Sequence, residues 1–252
     1  FEEDLKYVIQ QFKAEGITDL ILDLRFNNGG SVELARYLAA SIAGTSHRSD
    51  VFMRMQRNSG ADEYIRFGDG DDLNLKSVRI ICSEETASAS ELIISGLRGI
   101  DFPVKLFGSR TEGKNVGMEV QEYKYGNKYY EFAPITFRSF NAKDWGDYAD
   151  GIDPDVMLNN QNSSYEDDID NVFPYAFGDW DNFDFNYPLY WALCDVQGVD
   201  PTTGEPVKRS GRAGLTRSSK DEIIRVPSVP LKRPAGTFGS LIYNKPEVEN
   251  LY

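Results

Sequence analysis

The run with the most evident chemistry is Thr86-Ala87-Ser88-Ala89-Ser90-Glu91, which lies between an apolar strand-like segment and an apolar helical one. The small side chains on either side of Ser88 would let a substrate backbone approach its hydroxyl. A helix that begins here presents unpaired N–H groups, and the N–H of Ala89 would point at an oxyanion formed at Ser88. The same run also fits a helix cap, with Ser88 or Ser90 as N-cap and Glu91 completing a capping box. On these residues alone, capping is the favoured interpretation.

Two other segments shift that balance toward acyl transfer. Lys114 follows Gly113 in a turn one strand further along, from which a lysine can reach a cleft, although most turn lysines are simply solvated. Asn27-Asn28-Gly29-Gly30 follows the strand-like ILDLR, and the N–H groups of the Gly29/Gly30 pair can form a second half of an oxyanion hole. Its alternative interpretation is an ordinary turn between a strand and a helix.

A serine nucleophile with a lysine base makes a demand on the surroundings of the amine. An ordinary lysine is almost fully protonated at neutral pH, so a lysine base requires burial that favours the neutral form. Such a pair would carry out covalent acyl transfer without a metal or cofactor.

Other common catalytic patterns are missing from the sequence. There is a single histidine, His47, in the polar run GTSHRSD, where a solvated loop residue is the favoured interpretation. The sequence has no G-x-S-x-G elbow and no H-E-x-x-H, which argues against a histidine triad and a zinc hydrolase. The run GDGDDLN (68–74) lacks the closing Glu of a calcium loop and is interpreted as an acidic turn.

Composition excludes several classes of partner. The 252 residues carry a net charge of −13, which disfavours binding to a phosphate backbone, so no nucleic-acid partner is expected. No apolar stretch is long enough to predict a membrane span. The two cysteines, Cys82 and Cys194, are expected to be buried small hydrophobes. The oligomeric state stays open.

The hydrophobic pattern predicts an α/β fold with a partly parallel sheet. Residues 2–15 have helical spacing, and strand-like runs follow at 18–26, 77–82 and 104–109. Helical runs from Ser31 and over 89–99 separate these strands, which is the βαβ rhythm of a parallel sheet.

The second half of the sequence has a different character. Two β-rich runs flank Gly126-Asn127, which predicts a hairpin. Residues 159–187 look like a long acidic loop, and a short helix follows from Pro188. From Gly198 the sequence predicts an extended or partly disordered tail. We therefore expect a catalytic core domain over 1–195 and a C-terminal extension over 196–252.

Taken together, the motifs resemble those of the C-terminal processing (tail-specific) serine proteases, relatives of the tricorn protease core. The family pattern of LDLR-N-x-GG, TASASE and G-x-x-T-x-GK stands here at Leu22–Gly30, Thr86–Glu91 and Gly108–Lys114, in the same order. GIDPDV (151–156) and GDWDNFDFNYPLYWAL (178–193) resemble later elements of the family. The resemblance covers roughly residues 1–195.

This resemblance implies a serine endopeptidase that acts on polypeptides. Ser88 would be the nucleophile, Lys114 the general base, and the amides of Ala89, Gly29 and Gly30 the oxyanion hole. Glu91 would be a structural acid. It further implies a ClpP/crotonase-like fold of ββα units with an added β-hairpin, no metal or cofactor, and a location in the periplasm or at the cell surface.

Two departures from the family pattern leave alternatives open. Met118 stands where some members have a Gln that completes a triad with the lysine, and Glu119 and Gln121 are the candidate replacements. The PDZ domain of many members is not visible in these residues. A catalytically silent peptide-binding relative is therefore the runner-up, and a crotonase-type acyl-CoA enzyme, which would use carboxylates, is a weaker rival.

We also expect segments 104–109 and 117–123 to offer a backbone edge to an extended peptide.

Overall fold

The structure is a computed structural model that describes residues 2–158 and 187–207. Its contacts divide the chain into two compact units, Phe1–Asn160 and Gln161–Tyr252. All of the motifs around Ser88 and Lys114 lie in the first unit. The domain boundary predicted between residues 195 and 196 stays a prediction.

The first unit alternates helices and strands in its first part and is mostly β in its second. Its helices are α1 (Glu2–Glu15), α2 (Val32–Ala43) and α3 (Ala89–Gly99), with a 3₁₀ turn at Thr45–His47. Its strands are β1 (Leu20–Asp23), β2 (Val51–Arg57), β3 (Glu63–Arg66), β4 (Val78–Cys82), β5 (Val104–Gly108), β6 (Val116–Met118), β7 (Gln121–Tyr125), β8 (Lys128–Phe132), β9 (Ile135–Phe140) and β10 (Val156–Met157).

The parallel sheet expected from the βαβ rhythm is present. Its strand order is β1-β4-β5-β10, and all three pairings are parallel. Every residue of β4 is buried, as expected for a central strand covered on both faces. Because the strands are parallel, the carboxyl ends of β1, β4 and β5 lie at the same end of the sheet. The segments Asn27–Gly30 and Thr86–Ser88 follow β1 and β4 at this end.

A second sheet was not expected from the sequence. It is antiparallel with the order β3-β2-β9-β6. Strands β2 and β3 were missed because VFMRMQR does not alternate regularly, and because EYIR is short and mostly exposed. The edge strand β6 begins two residues after Lys114, so this sheet helps to position the turn that carries Lys114.

Helix α3 joins the two sheets. Ten of its residues are buried, including Leu92, Ile94 and Leu97. It packs against α2, β5 and β2, and Phe52 of β2 lies so close to Gly96 that any Cβ there would collide with its ring. Because α3 is fixed on all these sides, the residue that precedes it, Ser88, has a fixed position too.

The predicted hairpin forms about Gly126-Asn127 from β7 and β8. All ten of its strand residues are exposed, with Tyr125 the most exposed of its aromatic side chains at 71%. The hairpin extends the β6–β9 pair, since Met118 pairs with Ile135 and the Glu119 N–H donates to the Pro134 carbonyl.

In the second unit the described residues form helix α4 (Tyr187–Gln197) and a turn held by the Val199–Pro206 bridge. The helix predicted from Pro188 is therefore confirmed. The acidic loop expected over 159–187 lies, apart from its last residue, outside the described residues, as does the tail beyond 207. Among the helices that the structure describes, none has the length and apolarity that a membrane crossing requires.

Candidate active site

Ser88 occupies a strained turn between β4 and α3. It is the N-cap residue of α3, and its φ and ψ are 55° and −117°, which a residue with a Cβ rarely adopts. Such a conformation costs on the order of 1–3 kcal/mol and persists only where its surroundings enforce it. Ser88 is thus the N-cap residue, as the capping interpretation predicted. At the same time, its side chain lines a cleft.

The carboxylate of Glu91 holds the Ser88 turn and the Lys114 turn together. One oxygen, Oε2, accepts the N–H of Ser88 at 2.8 Å and the N–H of Lys114 at 2.9 Å. The other, Oε1, accepts the Thr111 hydroxyl at 2.5 Å and the Gly113 N–H at 2.8 Å. Glu91 is fully buried, and this burial is the main reason that its pKa is raised. Glu91 therefore acts as a structural anchor between the two segments.

Asn27 attaches the glycine turn to the same region. Its carbonyl accepts the Ala87 N–H at 3.1 Å, and its side-chain Oδ1 accepts the Ser90 hydroxyl at 2.8 Å. Gly29 lies directly against the serine turn: a Cβ added there would be 2.7 Å from the Ala89 nitrogen and 2.8 Å from Ser88 Cβ. Only a residue without a side chain allows this approach, and the φ of 99° at Gly29 also favours glycine.

Two backbone amides remain available near Ser88. The Gly29 N–H donates to Asn27 Oδ1 at 3.1 Å, so it is already engaged. In the described part of the chain, neither the Gly30 N–H nor the Ala89 N–H, at the first position of α3, has a hydrogen-bond acceptor. Of the three amides named from the sequence, Ala89 and Gly30 are those with a free donor.

Ser88 and Lys114 line one small cleft. The rest of its wall is mostly apolar, and Ser139 contributes the one further hydroxyl group. The lining residues besides Ser88 and Lys114 are Val32, Leu92, Val116, Gly117, Phe137 and Ser139. No hydrogen bond joins Ser88 Oγ to Lys114 Nζ within the described residues, and the lysine amine forms no ion pair there. Catalytic pairs are often loose without substrate, so the shared cleft is the informative observation.

The other sequence candidates lie elsewhere. His47 is the last residue of the 3₁₀ turn, and its Nδ1 is 2.7 Å from Asp50 Oδ2. It does not line the cleft. Glu119 pairs with Arg57 at 2.9 Å, which lowers the pKa of its carboxyl group. Met118 is 46% exposed, and Gln121 belongs to the exposed hairpin. Neither candidate replacement for the family's glutamine lines the cleft.

Several residues at or next to the cleft were not singled out from the sequence, among them three on or near β9. Phe137 and Ser139 line the cleft, and the hydroxyl of Tyr148 is 2.9 Å from Ser139 Oγ. The alternation in β9 was a usable signal, because it puts Phe137 and Ser139 on the same buried face of the strand. The pairing of β9 with β6, which places that face beside Lys114, is a long-range contact without a local signal.

The fold and the cleft define a class: an α/β protein with a serine at the start of a helix and a lysine across a small apolar cleft. Comparison with known proteins gives the family. The pattern of peptidase family S41 matches residues 1–158, and the chain belongs to that family. The resemblance to C-terminal processing proteases, drawn from three motifs, is thereby confirmed.

Individual relatives agree with this assignment. A probable CtpA-like serine protease of Staphylococcus haemolyticus is 25% identical over 158 residues, which are 62% of this chain and 30% of that protein. One from Staphylococcus aureus (strain COL) is 26% identical over 181 residues, 71% of this chain and 35% of that protein. The chain thus spans about a third of the length of the curated relatives it matches.

A solved structure supports the fold. The crystal structure of a putative S41 protease from Bacteroides fragilis aligns with a TM-score of 0.63 and 23% identity, covering 78% of this chain and 49% of that one. The expected α/β fold with a parallel sheet is confirmed, and its predicted ClpP/crotonase-like character is consistent with this family.

Proposed function

We propose that this chain carries a serine-type endopeptidase site in which Ser88 is the nucleophile and Lys114 the general base. The observation that carries the proposal is the shared cleft, where Ser88 and Lys114 converge from two different turns. The Ala89 amide, next to Ser88 in sequence, and the Gly30 amide have no acceptor among the described residues. Membership of a peptidase family supplies the substrate class, a polypeptide.

The proposed reaction has two halves. Neutral Lys114 takes the proton from Ser88 Oγ as that oxygen attacks the peptide carbonyl, and the amides of Ala89 and Gly30 bind the resulting oxyanion. The lysine then gives this proton to the departing amine, which leaves an acyl-enzyme. A water molecule, deprotonated by the same amine, attacks the ester, and the proton returns to Ser88 Oγ as the acid product leaves. The residues described here need no metal or cofactor for these steps.

The free edge of β6 suits an extended peptide. Among the described strands, β6 pairs only with β9, and its residues Val116 and Gly117 line the cleft. Main-chain pairing with this edge would hold a substrate with little dependence on its sequence. The other segment expected to offer an edge, β5, lies between β4 and β10, and β10 pairs with it at Phe107 and Gly108, so that expectation is wrong for these two residues.

The test is peptide hydrolysis by Ser88→Ala, Lys114→Ala and Lys114→Arg variants, measured between about pH 6 and 10. All three should lose activity while remaining folded, because each removes the nucleophile or the general base of a catalytic pair whose members act together. Arginine keeps the charge but cannot give up its proton, so Lys114→Arg separates a base from a mere cation. The Ser88→Ala/Lys114→Ala double variant should be little worse than either single one.

His47→Ala is the matched control, since it removes the chain's single histidine from outside the cleft. Near-normal activity in Lys114→Arg, or its complete loss in His47→Ala, would refute the Ser/Lys assignment.

One alternative has a specific observation in its favour. Because Met118 replaces the family's glutamine and is exposed, the site could bind peptides without cutting them. A fluorophosphonate that labels Ser88, located by mass mapping, would exclude this silent relative. Binding of peptides without any labelling would favour it.

We further propose that the protein acts outside the cytoplasm, in the periplasm or at the cell surface. The support is the family resemblance. Fractionation of cells that express the natural full-length protein, with immunodetection, tests it; recovery in the cytoplasmic fraction alone would contradict it.

A further inference from the structure

We propose that Ser139 is a positioning residue for Lys114 and takes the part that a glutamine plays elsewhere in the family. This inference rests on the proposed function of Ser88 and Lys114. Ser139 is the only polar side chain, besides those two, among the residues that line the described cleft. Ser139 lies on β9, which contains none of the sequence motifs that indicated the site.

The location of this hydroxyl is unusual for a strand facing the core. Ser139 is 3% exposed and lies on the same buried face as Phe137. A buried hydroxyl is costly unless it is hydrogen-bonded, and an apolar side chain would fill such a position without that cost. Ser139 is also tied to the segment that carries the lysine, since both its backbone N–H, at 2.9 Å, and its Oγ, at 3.0 Å, donate to the carbonyl of Asn115.

Counting donors and acceptors leaves one acceptor site on Ser139 Oγ. A hydroxyl has one proton and two lone pairs. The proton goes to the Asn115 carbonyl, so the contact with Tyr148 at 2.9 Å must be a bond donated by the tyrosine, which occupies one lone pair. Burial raises the pKa of Tyr148 to about 12, so the phenol keeps this proton at neutral pH. The second lone pair of Ser139 has no donor among the described residues.

The amine of Lys114 supplies a matching donor in the same cleft. A neutral amine has two N–H donors and one lone pair. If one N–H points to Ser139 Oγ, the amine is oriented and its lone pair is free to face Ser88. Glu91, whose oxygens accept four donors, is bonded to the Lys114 backbone, and Tyr148 is bonded to Ser139 Oγ. Arg138, the neighbour of Ser139 in sequence, pairs with Asp147 at 3.5 Å.

The experiment compares Ser139→Ala with Ser41→Ala. Ser41 is also fully buried, donates its hydroxyl to a carbonyl (Tyr37, 2.9 Å) and accepts one bond (Asp71 N–H, 3.0 Å), but it lies on α2 outside the cleft. Both substitutions therefore remove a buried hydroxyl with two bonds. The readouts are kcat and KM on a peptide and the rate at which a fluorophosphonate labels Ser88.

We expect Ser139→Ala to lower kcat and the labelling rate by roughly 10- to 100-fold with little change in KM, because a misplaced base slows chemistry more than binding. Ser41→Ala should keep both rates near those of the wild type. Ser139→Thr, which retains a hydroxyl, should recover most of the lost rate. If Ser139→Ala does not fold, Ser139→Thr and Tyr148→Phe still test the idea, since both leave an acceptor oxygen at 139 and should stay active.

The outcomes separate the two proposals. A wild type that neither cleaves peptides nor labels at Ser88 overturns the proposed function, and the role of Ser139 with it. An active wild type combined with an equally active Ser139→Ala overturns the role of Ser139 alone. Equal losses in Ser139→Ala and Ser41→Ala also overturn it, because they would mean that the effect is one of stability.

Discussion

Gly29→Ala is the most demanding test of how the glycine turn and the serine turn fit together. Its new Cβ would lie 2.7 Å from the Ala89 nitrogen and 2.8 Å from both the Ala87 oxygen and Ser88 Cβ, whereas ordinary van der Waals contact begins at 3.4 Å. The difference, 3.4 minus 2.7, requires a shift of 0.7 Å. All three neighbours belong to the Ser88 turn, and two are backbone atoms, so no flexible side chain can absorb the shift.

The magnitudes follow from this geometry. A φ of 99° costs an alanine about 1–3 kcal/mol, and overpacking adds about 1–3 kcal/mol to the loss of unfolding free energy. A displacement approaching 1 Å at a reacting group lowers the rate by about 100-fold. We therefore expect kcat/KM for peptide hydrolysis, and the labelling rate of Ser88, to fall by about that factor.

Gly60→Ala is the matched control for backbone strain. Gly60 has a φ of 92°, close to that of Gly29, but a Cβ there would meet nothing within 4 Å. It should lose only the strain part of the stability, about 1–3 kcal/mol in urea denaturation, and none of the activity. Equal effects of the two substitutions on stability and on labelling would refute the steric reasoning.

Three further predictions concern the surroundings of the site. Glu91→Gln should lower the unfolding free energy by about 1–3 kcal/mol, because the amide nitrogen cannot accept the Gly113 N–H. Because burial raises the folded-state pKa of Glu91, the wild type should lose stability as pH rises through that pKa, and the variant has no titrating group at this position. Urea denaturation at increasing pH should therefore show the difference in unfolding free energy between wild type and variant narrowing, and a widening difference would contradict this. Gly117→Ala should narrow the cleft, because its Cβ would lie 1.9 Å from the Phe137 ring; labelling by a peptidyl chloromethylketone should fall more than labelling by a small fluorophosphonate, and equal effects would argue against it. Cys82 is 1% exposed, and burial raises the pKa of its thiol to about 12, so it should resist thiol reagents at about pH 8 until urea is added. Modified Cys82 found by mass mapping of the native protein would contradict this.

Local pattern was sufficient for much of the fold. The strands β1, β4 and β5, the helices between them and the Gly126-Asn127 hairpin all follow from hydrophobic period and turn residues, which depend on neighbours in sequence. The order of three motifs was likewise sufficient to indicate the family. Strands β2 and β3 carry no such signal, because β3 is stabilised by pairing with β2, and β2 by pairing with β9, which is distant in sequence.

The sequence by itself determined which residue types are available for chemistry: a serine between small residues, a lysine after a glycine, a glycine pair and almost no histidine. Only the tertiary structure decided which of them meet. It brought Ser88 and Lys114 to one cleft, engaged the Gly29 amide in a bond with Asn27, and made Ser139, not Glu119 or Gln121, a residue that lines this cleft. The physical reason is that hydrogen bonds and contacts between distant segments, such as those of Glu91 and those between β6 and β9, have no trace in local spacing.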